Sequence, residues 1–330
     1  MTEIVAGQAQ EIALPDWPEF GLIDDVRAPL FAALEQGEPA ALATLFRLEG
    51  GGPRPAGTQM AFTAKTAHGF LSGGCIEADV TLHAAQVLAD GVPQRLVYGP
   101  SGPWPDIRLL CGAEIEVLVE RILPGDLAAS KLKAFSLART PAHWISNGAA
   151  RRCVAGQTHG QTVWQDAPFE ITRAYAPQPR LIIVGSDPAA LAMARLGVQS
   201  GFETWLNRPK GPQAPPPIEG LNYIRSDPQA ALNEIGLDAW TSLAIASHDL
   251  ETDHAALMTA LCSDAAYVGL LGARRRLAER IEALKAGGLT PEHIARLHAP
   301  IGLDLGGKAP WEVAISVLGQ IIQIRQLASA

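Results

Sequence analysis

The run Ser72-Gly73-Gly74-Cys75-Ile76-Glu77 holds the residue types of this 330-residue sequence best suited to chemistry. Two adjacent glycines let the backbone bend so that successive N–H groups converge on one point, a nest for an anion. A helix predicted over residues 75–88 would put Cys75 at its N-terminus, where a thiol loses its proton more readily and becomes a better nucleophile or metal ligand. Glu77 falls in the first turn, a favourable place for an acid on structural grounds alone. The plainer alternative is a Gly-rich turn beside a buried cysteine. A second loop, Gly50-Gly51-Gly52-Pro53-Arg54-Pro55-Ala56-Gly57, restricts Arg54 between two prolines. Such a guanidinium suits bidentate contact to phosphate, and a solvated arginine on a surface turn fits the same residues. Cys111-Gly112-Ala113 offers a further thiol ahead of a predicted strand. Two thiols, with no His pair at zinc-finger spacing, do not complete a zinc site.

Three clusters follow in the second half. Ser247-His248-Asp249 ends a predicted strand, the place where ligands bind in open α/β sheets. Asp253 and His254 come about one helical turn later. They allow a metal or acid–base cluster; helix capping by Asp249 is the structural alternative. Tyr267-Val268-Gly269-Leu270-Leu271 leads through Gly272 and Ala273 into Arg274-Arg275-Arg276, a strand, a turn and a basic helix start. Cations at a helix N-terminus are unfavourable unless an anion sits there, so either a phosphate-bearing ligand or an acidic partner would explain them, and solvated arginines would not require one. His298-Ala299-Pro300-Ile301-Gly302-Leu303-Asp304 is a Gly/Pro loop placed to fold over the same strand ends.

Strands and helices must position these groups. From Gln178 onward, apolar runs at 181–184, 202–206, 221–224, 242–246 and 267–271 alternate with helical segments, and a long amphipathic helix over 311–327 closes the chain. That alternation predicts a Rossmann-like, doubly wound parallel sheet. Before Gln178 the pattern differs: helices at 23–35 and 75–88 mix with strands at 41–47, 59–63, 95–98 and 114–122. The fold class is therefore α/β, a C-terminal Rossmann-like domain (177–330) preceded by a separate α+β domain (1–176). The prolines around 177–179 mark the boundary. Residues 124–176 read as irregular.

A strand, a glycine turn and a helix invite a dinucleotide, but Gly185-Ser186-Asp187-Pro188-Ala189-Ala190 replaces the Gly-x-Gly-x-x-Gly fingerprint. Asp187 stands where a glycine admits the pyrophosphate, its carboxylate suits the N-cap, and Pro188 removes one N–H donor. Asn207 replaces the acid that would hold the ribose. These residues argue against NAD as cofactor, although an NAD(P)-dependent oxidoreductase remains the first rival reading.

Composition narrows the classes further. The length suits about two domains. With 48% hydrophobic and 18% charged residues the chain can bury sizeable cores, and a net charge of −8 disfavours nucleic-acid binding. The first residues form no signal peptide. The segment 313–327 is too short and too polar to span a bilayer, so no membrane association is expected. Cys75, Cys111, Cys153 and Cys262 form no CxxC pair and are expected as thiols in a cytoplasmic protein.

Together these motifs resemble the xanthine dehydrogenase accessory protein family, the XdhC/CoxI family. Pro53-Arg54 with Gly57, Ser72-Gly73-Gly74-Cys75-x-Glu77 and Cys111-Gly112 look like its N-terminal domain. Ser247-His248-Asp249 with Asp253, the 267–276 segment and His298 to Asp304 look like its Rossmann-like domain. The sequence departs from the family pattern in several places: Gly51-Gly52 stand where it has Ser-Ser, Ala113 where it has Gly, Gly185-Ser186-Asp187-Pro188 where it has Gly-x-Gly-His, and Leu206-Asn207 where it has an acidic pair. The resemblance implies a homodimeric chaperone without turnover of its own. Its cargo would be molybdenum cofactor, as molybdopterin or the cytidine dinucleotide form. It would protect that cargo while a cysteine desulfurase supplies the sulfido ligand, then insert it into an apo molybdenum hydroxylase of the xanthine dehydrogenase type. Cys75 would approach molybdenum or guide sulfuration. Arg54, Ser72, Gly73, Gly74, Glu77 and Cys111 would bind the cargo from the first domain, and His248, Gly269, Gly272, Arg274 and Asp304 from the second. A docking protein that recruits partners without touching cofactor is the other rival.

Overall fold

Seven consecutive residues of the strand Ala40–Glu49 (β1) are buried, because both of its faces are covered. On one face Ala41, Ala43 and Leu45 pack with Val80, Ala84 and Val87 of the helix Glu77–Asp90 (α2). On the other, Ala40 and Leu42 share a core with Leu30 of the helix Arg27–Glu35 (α1) and Leu132 of the helix Leu127–Leu137 (α3). β1 is the centre of an antiparallel sheet completed by Gln59–Phe62 (β2), Ala67–Gly69 (β3), Gln94–Tyr98 (β4) and Glu114–Ile122 (β5), in the order β3-β2-β1-β5-β4. The computed structural model describes residues 12–329 apart from 53, 104–106, 108, 110, 158–159 and 273, together with all side chains among them except those of 274, 328 and 329. The chain separates into two compact units, Met1–Pro177 and Gln178–Ala330.

Residues 124–176 are not irregular. They form α3 and a second antiparallel sheet of Ala142–Ser146 (β6), Arg151–Ala155 (β7), Val163–Asp166 (β8) and Phe169–Tyr175 (β9), ordered β7-β6-β9-β8. Only one face of β6 is covered, so Ala142, Trp144 and Ser146 are buried while His143 and Ile145 are less so. A five-residue alternation containing His and Ser gives a weak pattern, although Asp126 was a legible helix start: its carboxylate accepts the Ala129 N–H at 2.9 Å. The two sheets meet through Phe46, Leu118 and Ile171 and through the fully buried Glu120. That carboxylate accepts from Trp144 Nε1 at 3.1 Å, Ser146 Oγ at 2.6 Å and Arg151 Nε at 2.9 Å.

In the second unit every pairing is parallel. The strands are Arg180–Gly185 (β10), Glu203–Asn207 (β11), Asn222–Ile224 (β12), Thr241–Ala246 (β13), Tyr267–Leu270 (β14) and Leu297–His298 (β15), ordered β12-β11-β10-β13-β14-β15. This is the Rossmann order, with the chain reversing direction of travel between β10 and β13. Leu181 and Ile183 pack on one side with residues of Pro188–Gln199 (α4) and Pro310–Ser329 (α9). Ile182 and Val184 pack on the other with Pro228–Ile235 (α5), Leu250–Leu261 (α6) and Leu277–Ala286 (α7). A short helix, Pro291–Ala295 (α8), precedes β15. Among the described residues, no helix is long and apolar enough to cross a membrane.

Candidate functional site

Strand direction brings the three chemical loops of the first unit to one end of the five-stranded sheet. Glu49, the last residue of β1, pairs with Glu114, the first of β5, and Thr44 pairs with Gln59, the first of β2. Gly69 at the end of β3 pairs with Met60, and Tyr98 at the end of β4 pairs with Ile115. The loop carrying Arg54, the loop Ser72–Ile76 and the loop ending in Cys111 therefore all leave from the same sheet end. Two of them touch: a Cβ at residue 50 would lie 3.3 Å from Ala113 Cα and 3.4 Å from the Gly112 carbonyl.

The Ser72–Glu77 loop is organised by Glu77, which is buried. Its Oε1 accepts the N–H groups of Leu71 (3.0 Å) and Ser72 (2.6 Å), its Oε2 the Ser72 hydroxyl (2.7 Å), and Ser72 Oγ in turn accepts the Cys75 N–H (3.1 Å). The inner donors of the expected nest are thus satisfied by an internal carboxylate, and Glu77 shapes the loop from within. This also shifts the helix start. α2 begins at Glu77 with Ile76 as N-cap, so Cys75 sits one residue before the cap and not in the first turn. Gly73, Gly74 (φ +91°) and the Cys75 thiol face solvent, with no neighbour within 4 Å of a Cβ at either glycine.

Arg54 projects beside Asp24, with which its Nη2 pairs, and its Nε is buried without a hydrogen-bond partner among the described residues. Pro53 lies outside the described residues. The Cys111 thiol is exposed, and Gly112 (φ +70°) turns the chain there by donating its N–H to the Leu109 carbonyl at 2.9 Å. Cys153 contrasts with both: it is buried, and burial pushes its thiol pKa up to about 11, which makes it a packing residue.

In the second unit the loops after β10, β13, β14 and β15 leave the carboxyl edge of the parallel sheet. Asp187 caps α4, its Oδ1 accepting the Ala190 N–H at 2.8 Å, while its Oδ2 lies 2.9 Å from His248 Nε2. His248 reaches it from a left-handed conformation, φ +61°. The anion position of the first turn is thereby filled by an internal carboxylate bridged to the next loop. Asn207 is buried and its amide donates to the Ile224 and Ser226 carbonyls. Asp253 accepts from Ser247 Oγ at 2.5 Å and from Arg280 Nη1 at 2.6 Å, so Ser247, His248 and Asp253 are engaged in pairing and form no metal cluster. Among the described residues, no group of three or more His, Cys, Asp or Glu side chains could hold a metal ion.

Two further expectations are corrected. Gly269 lies inside β14 and not in the turn, and a Cβ there would come within 2.5 Å of Ile301 Cγ1 and 2.7 Å of Tyr267 Oη, so close packing accounts for the glycine. The three arginines form a 3-10 turn, Arg274–Arg276, ahead of α7, so the basic helix start is a separate turn; the Arg274 side chain lies outside the described residues. Gly272 is open on its Cβ side. The His298–Asp304 loop does fold over β14: Ile301 N–H donates to the Leu270 carbonyl at 3.0 Å and Gly302 N–H to Gln320 Oε1 at 2.8 Å. His298 stacks on Tyr267 at 4.8 Å between centroids, and burial lowers its pKa, which favours the neutral ring. Asp304 is exposed. Sequence reading missed the partners Asp24, Asp187 with His248, and Asp253 with Arg280. They are 30, 61 and 27 residues apart, beyond any periodic signal.

Residues 33–99 match the model of the XdhC and CoxI family, and residues 181–321 match that of the XdhC Rossmann domain. The chain is 28% identical over 308 residues to the molybdenum cofactor insertion chaperone PaoD of Escherichia coli (strain K12), covering 92% of this chain and 90% of that protein. It is 28% identical over 333 residues to a probable xanthine dehydrogenase subunit of Bacillus subtilis (strain 168), covering 90% and 96%. A crystal structure from Bacillus halodurans, described as a xanthine dehydrogenase, superposes with a TM-score of 0.71 at 25% identity, over 91% of this chain and 96% of that one. With both of its domains matched in order and full-length relatives on either side, the chain belongs to the XdhC and CoxI family.

Proposed function

We propose that this protein acts in the maturation of a molybdenum hydroxylase of the xanthine dehydrogenase type, by binding molybdenum cofactor and delivering it. The observation that carries this reading is the convergence of the Arg54, Ser72–Cys75 and Cys111 loops on one sheet end. The buried Arg54 Nε, without a hydrogen-bond partner among the described residues, and the exposed Gly73 and Gly74 backbone offer donors to phosphate and pterin oxygens. The exposed Cys75 thiol offers a soft ligand or sulfur contact. Glu77, fully engaged, holds that loop in shape. The relatives named for cofactor insertion and for xanthine dehydrogenase support the same cargo and client. In this reading the chain shelters the cofactor while a cysteine desulfurase sulfurates it, works as a homodimer in the cytoplasm, and catalyses no reaction. His248, Gly272, Arg274 and Asp304 contribute to cargo or partner contact from the second unit.

The test is direct. The protein is purified anaerobically from cells making molybdenum cofactor, oxidised, and assayed for fluorescent pterin and molybdenum, beside Cys75→Ala and Arg54→Ala. Pterin approaching about one per chain in the wild type, and reduced severalfold but still measurable in the variants, is the expected result. Apo-hydroxylase capture with no pterin on the wild type would instead make this a docking protein.

A further inference from the structure

Neither family match reaches residues 100–180, yet that stretch builds the support of the Arg54 loop. The loop is rich in Gly and Pro, and anchors from outside it hold its far end. At its far end, Gly57 (φ +94°) donates its N–H to the Leu45 carbonyl at 2.7 Å, which ties it to β1. Its carbonyl is taken by β9: Arg173 Nε donates to Gly57 O at 3.1 Å while Nη1 donates to the Ala174 carbonyl at 2.5 Å. The same guanidinium lies 3.8 Å from the centre of the Tyr175 ring. Tyr175 Oη donates to Gln59 Oε1 at 2.7 Å, and Gln59 Nε2 donates to Thr44 Oγ1 at 2.9 Å, both buried. Arg27 sits 5.4 Å from the same ring and is held by Asp25. The approach is close enough that a Cβ at residue 57 would come within 2.3 Å of Thr162 Oγ1.

We propose that Arg173 is a positioning residue: through the Gly57 carbonyl it fixes the Gly50–Gly57 loop, and so fixes the direction in which Arg54 meets an anionic cargo. This rests on the reading that Arg54 binds the cofactor. A guanidinium fork that bonds two carbonyls and lies against an aromatic ring has little freedom, and an arginine presented from a pre-ordered loop loses less entropy on binding a phosphate. The second sheet, on this account, is the rear wall of the cargo site.

The experiment uses the full chain as wild type, R173M, R173K, R54A and the double variant R173M/R54A. Three quantities are read: amide hydrogen exchange over residues 50–58, pterin retained after anaerobic purification, and the unfolding midpoint. Loss of a charged hydrogen bond should speed loop exchange in R173M by about tenfold and lower pterin retention by a comparable factor. R173K should be intermediate in both. Adding R173M to R54A should cost no further pterin, a non-additivity that general destabilisation would not produce. Unchanged loop exchange in R173M, or a pterin loss that multiplies with that of R54A, would overturn the proposal. If R173M does not fold, R173K decides: faster loop exchange at a near wild-type midpoint supports the anchor, and unchanged exchange removes it. If wild type carries no pterin, the cofactor reading fails while loop exchange still decides the anchor.

Discussion

At the scale of single residues, the Arg54 guanidinium already has a counterion. Asp24 is 78% exposed and pairs with it, so under the proposed function a cargo phosphate would have to displace that carboxylate. Exposed pairs of this kind contribute only about 0.2–1 kcal/mol, which makes the displacement easy. Asp24→Asn should therefore tighten cofactor binding by about two- to fivefold, read as slower pterin loss on dilution; weaker retention would mean that Asp24 orients Arg54 and does not compete for it. Asp187 has the opposite character, since its carboxylate is committed to a cap and to His248. Wild type should show no saturable quenching of NADH at micromolar concentrations, and a clear binding isotherm would revive the oxidoreductase reading. The residues themselves were legible: Arg54, Ser72, Cys75 and Asp187 stood out by type and by neighbouring Gly and Pro. Their partners were not, because Asp24 and His248 reach them only through the fold.

At the scale of elements, the β14 glycine sets a packing limit. Gly269→Ala forces a methyl against Ile301 and Tyr267 and should cost about 1–3 kcal/mol, visible as an earlier urea midpoint with little change in the first unit. Glu120 sets a different kind of limit, because three donors, one of them charged, converge on it across two sheets. Glu120→Ala leaves Arg151 only its pair with Asp126 and takes the buried acceptor from Trp144 Nε1 and Ser146 Oγ, and should destabilise the first unit by about 1–3 kcal/mol; a variant as stable as wild type would show that other acceptors or solvent reach these donors. The central parallel strands were legible because they are buried on both faces and read as continuous apolar runs, as in the six buried residues of Arg180–Gly185, whereas the two-residue, half-buried Leu297–His298 strand offered no run to read. The second sheet was not, because strands such as Val163–Asp166 are mostly exposed and carry little apolar pattern.

At the scale of the whole molecule, cargo and stability are linked. A ligand that binds only the folded chain stabilises it by about 2.7 kcal/mol when free ligand is a hundredfold above its Kd. Loaded protein should thus melt higher than protein stripped of pterin, and the difference should vanish in Arg54→Ala; equal midpoints for loaded and stripped wild type would place the pterin outside the native site. The net charge of −8 works against an anionic cargo at long range, so affinity must come from short-range contacts in the loops, and salt should weaken binding less than it would for a basic protein.

The Asp187–His248 bridge bears on how such a protein works among abundant metabolites. Cells keep nicotinamide and adenine nucleotides in large excess over any one protein, and an open Rossmann crevice would be titrated by them. A crevice whose phosphate position is filled from within, by a carboxylate that cannot diffuse away, should compete poorly for that background. In the proposed carrier, that internal carboxylate would keep the parallel sheet as a rigid scaffold and leave recognition to the loops around it.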